Sequence, residues 1–107
     1  GLSSAADLLF SARRVDATEA LRMGIATKLL SADNPVADAE AYVETIAKNA
    51  PLTLLGVKAA LVELAKPETK RDEARVHALV AACMASADYA EGQVAFRDKR
   101  DPEFNGT

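Results

Sequence analysis

The segment from Pro51 to Ala65 limits the folds open to this chain more than any other stretch. Read at helical spacing, Leu52, Leu55, Ala59 and Val62 make one apolar stripe, and Leu54, Val57, Leu61 and Leu64 make a second. Lys58, Glu63 and Lys66 are the few charges on or beside it. A helix with one wet side shows a single apolar stripe, roughly 100° wide. This one calls for burial on two sides. The whole chain has 107 residues, enough for one domain of the commonest size, about 100–150 residues. A chain so short buries only roughly 60–70% of the surface that its unfolded form exposes. The second stripe therefore points to a partner beyond this chain.

Gly, Asp and Pro divide the rest into helix-sized pieces. A first helix is expected over residues 3–11, with Ser3 and Ser4 as N-caps and Ala5, Leu8 and Leu9 on one side. A second should start at Asp16, whose spacing to Glu19 is that of a capping box, and stop at Gly24, which tolerates the left-handed conformation. Pro35 suits the first position of a third helix capped by Asn34, with Val36, Ala39, Val43 and Ile46 recurring at helical spacing. Pro51 repeats the device for the fourth. After Lys66-Pro67 a polar stretch leads into a fifth helix ending near Ala85, with Val76, Leu79, Val80 and Cys83 as its core face. Asp88 and Glu91 again have capping-box spacing and open a last helix that runs to about Lys99, before Asp101-Pro102. Residues 25–30 (Ile25 to Leu30) are short, partly β-branched and bounded by turn formers, so they are expected to be extended. The expected class is all-α, with five or six helices and one short extended segment that has no pairing partner in this chain.

A formal charge of −3 argues against nucleic acid or an anionic membrane as partner, since both demand a positive excess. No apolar run approaches the roughly 20 residues of a membrane span. Cys83 stands alone, so no internal disulfide and no thiolate-based zinc site can form, and a reducing, cytoplasmic setting is expected. The chain opens on Gly1 rather than Met, and residues upstream are expected.

Few residues suggest chemistry. His77 is the sole histidine and has no neighbouring Ser or Cys in a nucleophile motif, so a helix-surface or half-buried role is the simpler reading. Asp72 and Glu73 are adjacent and point to different sides of a helix. Asp16, Glu19, Asp88 and Glu91 are accounted for as caps. The glycines at 24, 56 and 92 are isolated, so no phosphate-cradling loop exists, and Gly56 is expected to allow close helix packing. One group remains. Phe96, Lys99 and Arg100 lie three and four residues apart on adjoining parts of one helix face. An aromatic ring beside cations can stack on a nucleobase while binding phosphate. The alternative is that Phe96 packs in the core and the cations complement the helix dipole.

The string from Asp88 to Phe104, with Glu91-Gly92, Ala95-Phe96, Lys99-Arg100, Pro102 and Phe104, resembles the C-terminal tail of enoyl-CoA hydratase/isomerase (crotonase) family proteins. A second match covers Leu8-Leu9-Phe10-Ser11-Ala12-Arg13 and Asp16-Ala17-Thr18-Glu19-Ala20 followed by Met23-Gly24-Ile25, with Ala12 in place of the family's usual Gly. Asn49-Ala50-Pro51-Leu52 with Lys58 completes the order. The resemblance implies that residues 1–107 are the C-terminal helical, trimerisation domain of a crotonase-type α/β fold, without the N-terminal catalytic spiral core. It implies a homo-oligomer, a trimer or hexamer, and a parent enzyme acting on acyl-CoA thioesters, by hydration of trans-2-enoyl-CoA or by another reaction of the family: isomerisation, naphthoyl-CoA synthesis or thioester hydrolysis. It implies no cofactor beyond the coenzyme A moiety of the substrate and no catalytic residue in this chain. Phe96 and Lys99 would contact the adenine nucleotide of coenzyme A, bound mainly to a neighbouring subunit. A non-enzymatic helical interaction module is the competing reading.

Overall fold

The computed structural model describes residues 1–107. Six α-helices follow one another without a β-strand: α1 (Leu2–Ser11), α2 (Ala17–Arg22), α3 (Pro35–Ala47), α4 (Pro51–Leu64), α5 (Glu73–Met84) and α6 (Ala87–Asp98), with a 3-10 turn at Glu68–Lys70 between α4 and α5. The chain forms two compact units, Gly1–Ala41 and Tyr42–Thr107.

In the first unit, α1 starts at Leu2 with Gly1 at the N-cap, so Ser3 and Ser4 fall inside its first turn and cap nothing. It ends on Ala12 in the left-handed conformation, φ 51°. Asp16 caps α2 as expected, accepting from the Glu19 N–H at 2.7 Å. The Glu19 carboxylate turns outward to Arg13, which also binds Asp7 at 2.7 Å. The hydrogen bonds of Glu19 and Asp7 push the Arg13 guanidinium pKa up. Gly24 is left-handed, φ 73°. The extended segment expected after it does not form a strand. The Ile25 and Ala26 N–H groups both turn back to the Ala20 carbonyl, at 2.9 and 3.2 Å, and residues 26–30 run on without regular structure. A strand needs a ladder partner, and this chain holds none. Asn34 caps α3 through Ala37 N–H, at 3.3 Å.

In the second unit, α4 and α5 pack as an antiparallel-type helical pair around a short connection. Glu63 pins that connection. Its carboxylate is 4% exposed, binds Lys66 Nζ at 2.7 Å and accepts from the Asp72 N–H at 2.9 Å. The backbone donor first, then the ammonium, holds the Glu63 carboxyl below the usual carboxylate range. Arg71 donates to the carbonyl of Lys66 in the connection and to that of Leu64, one of the acceptors that the C-terminus of α4 leaves open. On the facing sides, Thr53 Oγ1 and Cys83 Sγ lie 3.1 Å apart. Val76, Leu79 and Cys83 are half-buried as expected, whereas Val80 is exposed.

The core is small. Ala59 and Ala95 are its buried apolar residues, and no large apolar side chain is fully covered. Leu54, Leu55, Val57, Leu61, Val62 and Leu64 on α4 are all exposed, Leu61 at 62%. The stripe of Leu54, Val57, Leu61 and Leu64 is therefore wholly exposed, whereas the other keeps Leu52 half-buried and Ala59 buried and leaves Leu55 and Val62 exposed. Gly56 does not serve close packing in this chain, since a Cβ built there meets nothing within 4 Å.

Candidate functional site

Helix α6 and the residues after it carry the group singled out by the sequence. Ser86 is the N-cap, accepting from the Tyr89 N–H at 3.0 Å. This displaces the capping box expected at Asp88 and Glu91, because a Ser two residues earlier takes the capping position and draws both acids into the helix. Ala95, 1% exposed, faces inward. Phe96, the next residue, faces the other way and is 87% exposed, so the alternative of a core Phe96 is not realised. The helix closes on Lys99 with φ 53° and a 3.1 Å bond from Arg100 N–H to the Ala95 carbonyl. Such left-handed closures usually use Gly. Lys99 is exposed and forms no ion pair, whereas Arg97 binds Asp98 and Arg100 binds Glu91.

Residues 100–107 then fold back along α6. The Arg100 guanidinium grips Glu91 with both terminal nitrogens, at 2.6 and 2.8 Å, and the Glu103 N–H adds a third bond to the same carboxylate at 3.0 Å. These contacts, Arg100 foremost, lower the Glu91 pKa to about 2 and raise that of Arg100. One turn earlier, the Asp88 carboxylate, 3% exposed, accepts from Asn105 N–H at 2.7 Å and Gly106 N–H at 2.8 Å. The Asp88 N–H in turn donates to the Thr107 backbone oxygen at 3.0 Å. The strap carries Phe104 against Gly92, whose position a Cβ would occupy 3.6 Å from the ring, and Gly106 against Pro51.

Between the strap, the start of α4 and α6 lies an open cavity of about 310 Å³, lined by Ala50, Thr53, Asp88, Tyr89, Gly92, Gln93, Phe96 and Phe104. Its walls are mostly apolar and include three aromatic side chains, Tyr89, Phe96 and Phe104. The structure thus brings Phe96 to a cavity edge with Lys99 one turn on, and withdraws Arg100 into the strap. His77 lies on the exposed side of α5 at a separate cavity with Glu63 and Arg71. The residues that sequence reasoning missed are Asp88 and Glu91 as strap holders. Ser86 was the available signal: once it caps α6, two acids one turn apart are left facing an eight-residue tail rich in free N–H donors. No group of His, Cys, Asp and Glu is arranged to hold a metal ion. No helix is long and apolar enough to cross a membrane.

The family model for enoyl-CoA hydratase/isomerase matches residues 1–107. A carnitinyl-CoA dehydratase of Proteus mirabilis is 36% identical over 104 residues, covering 94% of this chain and 40% of that protein. Among solved structures, an enoyl-CoA hydratase/carnithine racemase from Magnetospirillum magneticum superposes with a TM-score of 0.80 at 30% identity, covering 98% of this chain and 39% of that one. An enoyl-CoA hydratase from Mycobacterium tuberculosis H37Rv gives a TM-score of 0.81 at 26% identity, with 98% and 42% covered. The chain spans about two fifths of the length of the relatives that it matches. With its whole length matched by one family model and its helices superposing on solved members, this chain belongs to the enoyl-CoA hydratase/isomerase family.

Proposed function

We propose that these residues are the C-terminal helical domain of a protein that acts on acyl-CoA thioesters, most simply by adding water across a trans-2-enoyl-CoA double bond. Within that protein, Phe96 and Lys99 contact the adenine nucleotide end of coenzyme A. The observation that carries this reading is the 87% exposure of Phe96 at the edge of an apolar cavity, with the unpaired Lys99 one turn away. Stacking a base on an exposed aromatic side chain is worth about 1–3 kcal/mol. The Lys99 ammonium is free to meet a phosphate. No residue of this chain is assigned to proton transfer; oxyanion stabilisation and general acid–base groups belong, on this reading, to the preceding part of the protein. Homologues named for dehydration of carnitinyl-CoA and for hydration of enoyl-CoA support a thioester substrate.

The uncovered face of α4 supports assembly. Six exposed apolar side chains on one helix would be covered in a homo-oligomer, a trimer or hexamer, in which a neighbouring subunit holds most of the coenzyme A. The same face favours the second reading, a helical interaction module without chemistry. Titration calorimetry with coenzyme A separates the two. Phe96→Ala should weaken binding by about 1–3 kcal/mol, and Lys99→Ala by a smaller amount that fades with added salt. Equal heats for the unsubstituted protein and both variants would remove the coenzyme A contact and leave the interaction module. The 107-residue chain should not hydrate crotonyl-CoA; turnover by a pure sample would place catalytic groups within it. Light scattering after size-exclusion chromatography tests assembly, and a clean monomer at high concentration counts against it.

A further inference from the structure

We propose that residues 100–107 are a latched strap that builds one wall of the Phe96 cavity, and that Asp88 and Glu91 are positioning residues for the ligand bound there. The inference rests on the reading of that cavity as a coenzyme A contact. Phe104 is the link. It is the strap's one aromatic side chain, it lies against the backbone of Gly92 at the middle of α6, and it lines the cavity together with Phe96. Nothing in its own stretch of sequence would hold it there, because residues 101–107 have no regular structure. The holding groups come from α6. Glu91 takes Arg100 and the Glu103 N–H, just before Phe104. Asp88 takes the N–H groups of Asn105 and Gly106, just after it.

The two carboxylates therefore bracket Phe104 on both sides, and each uses both of its oxygens. The residue so held, Phe104, lines the same cavity as the exposed Phe96. With the strap closed, an entering planar group meets Phe96 and Phe104 already in place. With it open, the cavity loses a wall, and binding must reorder Phe104 at an entropic cost. For one immobilised side chain that cost corresponds to a roughly two- to ten-fold weaker Kd.

The protein has no tryptophan, so Phe104→Trp introduces a single fluorophore into the strap. Its emission should be blue-shifted and poorly quenched by acrylamide, and saturating coenzyme A should quench it. Adding Glu91→Gln or Asp88→Asn should shift emission to the red and raise acrylamide quenching, with the far-UV signal of the helices retained. Arg100→Gln breaks the same latch from the strap side and should reproduce Glu91→Gln, which covers the case that a change inside α6 unfolds it. In the background without tryptophan, Glu91→Gln, Asp88→Asn and Arg100→Gln should each weaken coenzyme A by roughly two- to ten-fold.

An indole that is solvated from the outset, or that none of the three changes loosens, overturns the strap. Loosening without any change in coenzyme A affinity, while Phe96→Ala and Lys99→Ala weaken it, overturns the positioning role and leaves the coenzyme A reading intact. Weakening by the latch variants but not by Phe96→Ala or Lys99→Ala supports the strap and overturns the roles of those two residues. Unchanged affinity in all of them overturns both.

Discussion

Replacing Gly92 by alanine should stabilise the protein, and the structure sets the size of the gain. Gly92 lies in the interior of α6 with an ordinary helical φ, so it has no need of glycine's freedom. In a helix interior Gly is about 0.8–1.0 kcal/mol less favourable than Ala. The added Cβ would sit 3.6 and 3.8 Å from two carbons of the Phe104 ring, ordinary van der Waals contact that displaces nothing. A fully buried methyl adds roughly 0.8 kcal/mol, and the half-buried setting of Gly92 leaves about half of that, for a total of about 1–1.5 kcal/mol. Urea unfolding followed by far-UV circular dichroism would read this as a midpoint raised by about 0.5–1 M at unchanged slope. Gly56→Ala is the internal control. It meets nothing within 4 Å, so it should gain the helical preference alone. The reasoning fails if Gly92→Ala gains no more than Gly56→Ala, or if it destabilises, since either result would mean that Phe104 does not lie where the strap puts it. Combining Gly92→Ala with Phe104→Ala should erase the excess.

Ala12 ends α1 at φ 51°, where an L side chain costs about 1–2 kcal/mol. Ala12→Gly removes that cost against a larger unfolded-state entropy, so a net gain of up to about 1 kcal/mol is expected in the same unfolding assay. Ala95 is 1% exposed, and Ala95→Leu should cost about 1–3 kcal/mol by overpacking, seen as a lower thermal midpoint. Glu91 has its pKa depressed to about 2 in the folded protein, against about 4.3 for an unperturbed Glu. The stability that it contributes is thus fully present above the unfolded value and lost as pH falls through the folded one. Urea midpoints should fall as acid is added across that window, and the fall should be shallower in Glu91→Gln. Glu63, also depressed, keeps part of the slope.

Much of the helical framework could be read from single residues. Pro35 and Pro51 mark the first positions of α3 and α4, and Asp16 and Gly24 bracket α2, because each device acts within one helical turn. The double stripe of α4 is equally plain, and the structure leaves all of it but Leu52 and Ala59 exposed. What the sequence could not disclose is non-local. Asp88 meets donors 17 and 18 residues away, and those donors are backbone N–H groups, which every residue but proline possesses. The capping-box spacing at Asp88 and Glu91 fitted a local role well enough to hide the distant one. Residues 25–30 misled for a related reason: β-branched composition favours a pleated surface but supplies no neighbour to pair with. Spacing singles out Phe96, Lys99 and Arg100, but it does not say which way the ring faces, and in the fold it points to solvent.

Lys99 has a consequence for anyone redesigning this protein. Its backbone is left-handed, a conformation that glycine adopts freely and lysine does not. A search for stability alone would therefore propose glycine at this position among its first changes, and the unfolding assay would reward it. The same change would delete the one cation at the end of α6 that no carboxylate claims. On the proposed coenzyme A contact, thermostability and ligand affinity are set against each other in a single φ angle, and a variant library sorted by heat resistance would trade away the Lys99 ammonium before it lost any helix.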